Sequence, residues 1–164
     1  MSPNATSQGL IGSDPHTSER RPLVVVAGRS EDARQMMRAM LESWDLDVTV
    51  AGSCSEAPEV AGQLHPDLVM LDAAIPFTES LEAAAMLRNQ PPTANIPVLM
   101  ISDFTQSPFR DAAMAQGVAD YVTKPCSLDE LHETVLNLLQ RPQSPRPVHR
   151  AYRNRPRIMP NSVL

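Results

Sequence analysis

At 164 residues the chain is long enough for one domain with a sizeable core. Its longest uncharged stretch falls far short of the ~20 apolar residues of a membrane helix, and residues 1–21 lack the apolar centre of a secretion signal, so a protein of the cytoplasm is expected. The net charge of -5 hides a division: residues 22–140 carry 17 acids against 6 bases, whereas residues 141–164 carry six arginines and no acid.

Residues 1–21, rich in Ser, Thr, Asn, Gly and Pro, have too few large apolar side chains to order themselves and are expected to be disordered. From residue 22 a pattern repeats: apolar run, turn, amphipathic stretch. Residues 23–27 form the first run, and a helix follows with Met36, Met37, Met40, Leu41 and Trp44 on one face. Residues 47–50 alternate and are expected near a sheet edge, whereas 68–71, 96–101 and 118–122 are continuous runs of the kind covered on both faces. The second helix is expected to begin after Ser53, with Pro58 inside its first turn. An alanine-rich third helix is expected over about 79–88. The fourth opens on Ser107 as cap with Pro108 in the first turn and closes before Gly117; the fifth opens on Ser127 and Glu130 as a capping box. After residue 140, five prolines interspersed with arginines predict a second disordered segment, residues 141–164. Five β-α repeats imply a three-layer α/β sandwich built on a parallel sheet.

In such a sheet ligands bind beyond the carboxyl ends of the strands. Asp72, Ser102 and Lys124 end the third, fourth and fifth runs. Lys124 is the sole lysine beside thirteen arginines, as expected where a compact point charge is needed rather than a planar fork. A carboxylate, a hydroxyl and an ammonium on one rim suit the holding of a phosphoryl group on the carboxylate, its oxygens bound by the other two. Cys54 and Cys126 stand too far apart, without neighbouring cysteine or histidine, to signal a zinc site or a disulfide framework. His16, His65, His132 and His149 are scattered and read as surface residues.

These motifs carry a resemblance. Pro66-Asp-Leu-Val-Met-Leu-Asp72-Ala-Ala-Ile-Pro76, Ile96-Pro-Val-Leu-Met-Ile-Ser102 and Asp120-Tyr-Val-Thr-Lys124-Pro125 make residues 22–140 similar to the receiver domain of bacterial response regulators. The resemblance implies a flavodoxin-like doubly wound (βα)5 fold with a parallel five-stranded sheet of order 2-1-3-4-5. It also implies a signalling domain rather than an enzyme. Asp72 would accept phosphate from a histidine kinase or phosphotransfer protein, with Ser102 and Lys124 binding the phosphoryl group and Tyr121 as the switch aromatic that follows Ser102 inward. Output would pass to a protein partner over residues 103–139; a homodimer is left open.

One departure stands out. Receivers end their first strand with two acids that hold Mg2+, and aligning Arg34 with the family's usual arginine puts Gly28 and Arg29 in those places. Asp72 and the backbone carbonyl of Ala74 would remain as ligands, weakening the ion and slowing phosphotransfer by on the order of a hundredfold or more. Glu31 and Asp32 are expected at the start of the first helix instead. Arg29 is expected either to pair with Asp72, substituting for the metal charge and occupying the carboxylate, or to turn to solvent. The alternative to a phosphorylated regulator is therefore a phosphorylation-independent pseudo-receiver, a constitutive interaction module. Ala74 stands where haloacid-dehalogenase phosphatases carry a second aspartate, and the turn after the first strand lacks the glycines of a dinucleotide site. The basic tail is read as a solvated extension, with charge-only binding to nucleic acid or lipid, or folding back on the acidic body, as other accounts; Tyr152 is its lone aromatic, and specific nucleic-acid readout is not expected.

Overall fold

The computed structural model describes residues 20–141. The expected disordered segments, 1–21 and 141–164, lie outside them apart from residues 20, 21 and 141, as do His16, His149 and Tyr152.

The elements alternate: β1 (Leu23–Ala27), α1 (Glu31–Glu42), β2 (Asp47–Ala51), a 3-10 turn (Cys54–Glu56), α2 (Ala57–Leu64), β3 (Leu68–Ala73), α3 (Phe77–Asn89), β4 (Val98–Ser102), α4 (Ser107–Ala115), β5 (Asp120–Thr123) and α5 (Leu128–Gln140). All strand pairs are parallel, in the order β2-β1-β3-β4-β5. The continuous runs form β1, β3 and β4, and the alternating 47–50 segment lies in the edge strand β2, as expected.

The period of two sorts each strand between two cores. Val25, Ala27, Val69, Leu71, Val98 and Met100 face α2, α3 and α4, whose contacts are mostly Ala57, Ala61, Ala83, Ala84 and Ala113. Val24, Val26, Leu68, Met70, Leu99 and Ile101 face Leu41 of α1 and Leu131, Val135 and Leu138 of α5. Trp44, just past α1, stacks on His132 of α5 with ring centroids 4.3 Å apart. Among the described residues no helix is long and apolar enough to cross a membrane.

Several boundaries depart from the sequence reading for local reasons. β4 starts at Val98 rather than 96, because Pro97 has no N–H to give a ladder and only its carbonyl accepts, from Val69. α3 begins at Phe77, right after Pro76. α4 is preceded by Gln106, with Ser107 as its first helical residue and no side-chain cap, so the expected Ser107 cap is corrected. Pro58 does fall in the first turn of α2, after the 3-10 turn. Ser127 caps α5, its Oγ accepting the Glu130 N–H at 3.1 Å. Met36 is 74% exposed and not part of the core face of α1.

Candidate functional site

The ladders bring the three predicted residues to one rim. Asp72 is the penultimate residue of β3, Ser102 closes β4, and Lys124 directly follows β5; Ala73 lies opposite Ser102, and Ser102 opposite Thr123. The Lys124 Nζ donates to Asp72 Oδ1 at 2.6 Å, joining groups 52 residues apart, with both side chains largely covered. The Lys124 backbone N–H donates to the Ser102 carbonyl at 2.8 Å. This contact leaves Oδ2 outside the ammonium bond.

Ser102 is fully buried, and its Oγ accepts from the Phe104 N–H at 3.0 Å. Tyr121 is also buried, its hydroxyl donating to the Phe104 carbonyl at 2.7 Å. Tyr121 is therefore turned inward, and Phe104 is tied to both residues. The Phe104 ring stacks on Phe109 with centroids 4.5 Å apart and meets the edge of Phe77 at 5.4 Å, joining the β4–α4 loop to α3 and α4.

Arg29 corrects both expectations made for it. Its guanidinium turns to Glu79, with Nη2 and Nε at 2.8 and 3.1 Å from Oε2, and Nη1 donates to the Ile75 carbonyl at 3.4 Å. Lys124 already holds Asp72, and Glu79 is the first-turn acid of α3 that faces the β1–α1 loop. The other Glu79 oxygen, Oε1, accepts the Ser55 N–H at 3.3 Å. Arg29, Cys54, Asp72, Ala74, Pro76 and Glu79 thus wall a narrow cleft of ≈ 10 Å³, room for about one water. Glu79 was not legible as a site residue in the sequence, where it marks only the start of an alanine-rich helix.

Receiver domains typically bind Mg2+ in this place. The ion takes near-ideal octahedral oxygen geometry and keeps several waters, and the residues here do not fit it. A Cβ at Gly28 would lie 2.9 Å from the Asp72 Cβ, so the strand ends approach too closely for a carboxylate side chain there. The next place holds a cation, and that cation engages the nearby carboxylate of Glu79. No cluster of three or more His, Cys, Asp or Glu able to hold a metal exists among the described residues. Glu31 and Asp32 lie in the first turn of α1, as expected, behind the Ser30 cap.

Cys54 sits beneath the cleft, its sulfur 3.5 Å from the Asp72 carbonyl oxygen and accepting from the Ser80 hydroxyl at 3.6 Å. Burial pushes its thiol from 9.0 up to about 11; the Ser80 hydrogen bond and Arg29 oppose this, and Glu79 and Asp72 add to it. Because the folded value is raised, the protonated thiol contributes stability below pH 9, lost as pH rises through about 11. Alkylation near pH ~8 is expected to modify the half-buried Cys126 and to reach Cys54 only on unfolding, as read by peptide mass spectrometry. Equal labelling of both thiols in the folded protein would refute this placement.

The sequence reading also missed a groove. Met36, Met37, Met40, Cys126, Leu128 and Leu131 line a space of ≈ 290 Å³ between α1 and α5, and Asp72 and Lys124 stand at its wall. Met36 and Leu128 are exposed there.

Residues 24–136 match the family model of the response regulator receiver domain, and the chain belongs to that family. Receivers are signalling domains that interact with histidine kinases or phosphotransfer proteins and with downstream effectors. The chain is 31% identical over 120 residues to the DNA-binding dual master transcriptional regulator RpaA of Synechocystis, covering 73% of this chain and 50% of that protein. It is 28% identical to the receiver domain of the Francisella response regulator 1452, with a TM-score of 0.65 over 73% of this chain and 97% of that one. A response regulator from Thermotoga maritima superposes with a TM-score of 0.66 at 24% identity, covering 74% and 100% of the two chains. The chain spans half or less of the first curated relatives it matches.

Proposed function

We propose that this receiver accepts a phosphoryl group on Asp72 and signals through a protein partner. The observation that carries the reading is the 2.6 Å contact of Lys124 Nζ with Asp72 Oδ1 at the carboxyl rim of the sheet, where Ser102 ends the neighbouring strand β4. In the transfer, Oδ2 attacks the phosphorus of a phosphohistidine, the P–N bond breaks, and the ring nitrogen keeps the electron pair. The Lys124 ammonium and the Ser102 hydroxyl then hold the phosphoryl oxygens.

The donor is a histidine kinase or phosphotransfer protein. The methionine groove between α1 and α5 supports docking there, because flexible thioethers adapt to an apolar helix face and the groove wall includes the acceptor. Output leaves through residues 103–139. If Ser102 Oγ turns to a phosphoryl oxygen, it gives up the Phe104 N–H, and Phe104 is the residue that holds Tyr121.

Incubation with phosphoramidate and intact mass spectrometry is expected to show one phosphoryl adduct, lost in Asp72→Ala. No adduct in the wild type with or without magnesium would leave the phosphorylation-independent interaction module as the function.

A further inference from the structure

The clasp between Arg29 and Glu79 is a part of the site that the phosphoacceptor reading does not itself require. It crosses from the β1–α1 loop to α3 over the cleft shared with Asp72 and is fastened to the Ile75 carbonyl and the Ser55 N–H. Three chain segments thus converge on one guanidinium–carboxylate pair. The pair stands where Gly28 and Arg29 take the places of the two acids that would bind a divalent ion, and the approach of Asp72 to Gly28 leaves no room for one of them.

We infer that this clasp replaces the divalent ion, so that the protein binds a phosphoryl group at Asp72 without metal. The inference rests on the phosphoacceptor reading for its ligand, but not for its statement about metal. A guanidinium is permanently charged and offers several N–H donors in a fixed plane, which suits the oxygens of a tetrahedral anion. Glu79 orients it in the unphosphorylated protein, and on phosphorylation the Arg29 donors are shared between Glu79 and the incoming oxygens. The donor's P–N bond breaks and the P–O bond to Asp72 forms, with the Lys124 ammonium and the Arg29 guanidinium as the cations that face the phosphoryl oxygens.

The test uses the full chain in two arms. In the first, Mn2+ titration followed by electron paramagnetic resonance is expected to show no saturable binding by the wild type. Arg29→Asp, which sets a carboxylate beside Asp72 and Glu79, is expected to create such binding. In the second, phosphoramidate labelling of the wild type is expected to proceed at the same rate in Mg2+ and in EDTA. Arg29→Ala should slow it about tenfold in both, less than the ~hundredfold of a buried donor because the Arg29 side chain is 57% exposed. Arg29→Lys should recover part of the loss, and Arg29→Asp should become dependent on Mg2+. Saturable Mn2+ binding by the wild type, stimulation of its labelling by Mg2+ of about tenfold or more, or unchanged labelling of Arg29→Ala in EDTA would each overturn the inference. Absence of any adduct together with absence of wild-type Mn2+ binding would defeat the phosphoacceptor reading, and with it the metal-free phosphoryl site, whereas an adduct that requires Mg2+ would spare that reading and overturn the inference alone.

Discussion

Replacing Lys124 with alanine is expected to slow phosphoryl transfer to Asp72 by on the order of a hundredfold or more. Among the described residues the ammonium is the single cation in hydrogen-bond contact with the proposed acceptor carboxylate, and its side chain is only 31% exposed, so little solvent replaces it. Its position is fixed from the backbone, since the Lys124 N–H is bonded to the Ser102 carbonyl. In the proposed transfer that sets the ammonium beside the carboxylate at which the P–O bond would form. Lys124→Arg should not restore the rate, because a planar fork cannot occupy the point-charge position beside Oδ1 without displacing the carboxylate. The rate of adduct formation from phosphoramidate measures the loss, and unchanged circular dichroism shows that the fold survives. Labelling of Lys124→Ala at the wild-type rate would remove the ammonium from the chemistry.

Leu71→Ala is expected to destabilise the protein by the upper half of the ~2–5 kcal/mol range for such a truncation. Leu71 is wholly buried in β3, which has strands on both sides, and its ladder partners are Ala27 and Met100. The helices over it, α2 and α3, approach the sheet through Ala57, Ala61, Ala83 and Ala84, and the larger Leu87 of α3 is itself already fully buried, so little is free to move into the space. Against a total stability of ~5–15 kcal/mol, this loss would remove a large share of the folded state's margin. Urea unfolding measures it. A cost below about 1 kcal/mol would mean that the helices close onto the sheet, contrary to the packing described.

Much of the fold was legible because most strands are continuous apolar runs and the β-α repeat implies a parallel sheet, whereas the strand order came from the resemblance to receiver domains. Asp72, Ser102 and Lys124 were legible because each ends such a run, and a parallel sheet gathers those ends on one rim. Helix starts were less so. Ser107 has the side chain of a cap, yet the chain turns at Gln106, a choice made by the loop that Phe104 anchors rather than by local preference. The Arg29–Glu79 pair was hidden for a different reason: the partners stand 50 residues apart, and only the β3–α3 connection brings the first turn of α3 to the β1–α1 loop. The sequence offered Arg29 a choice between Asp72 and solvent, and a third residue took it. Met36 has the period of a core residue, yet α1 turns it into a groove that the folded domain leaves uncovered.

Borohydride reduction of the phosphoramidate-treated protein, followed by peptide mass spectrometry, tests the central claim most directly, because an aspartyl phosphate is reduced to homoserine. Homoserine at position 72, formed far more slowly when Lys124 is replaced by alanine, is the predicted result. Homoserine at another aspartate, or at none, would contradict it.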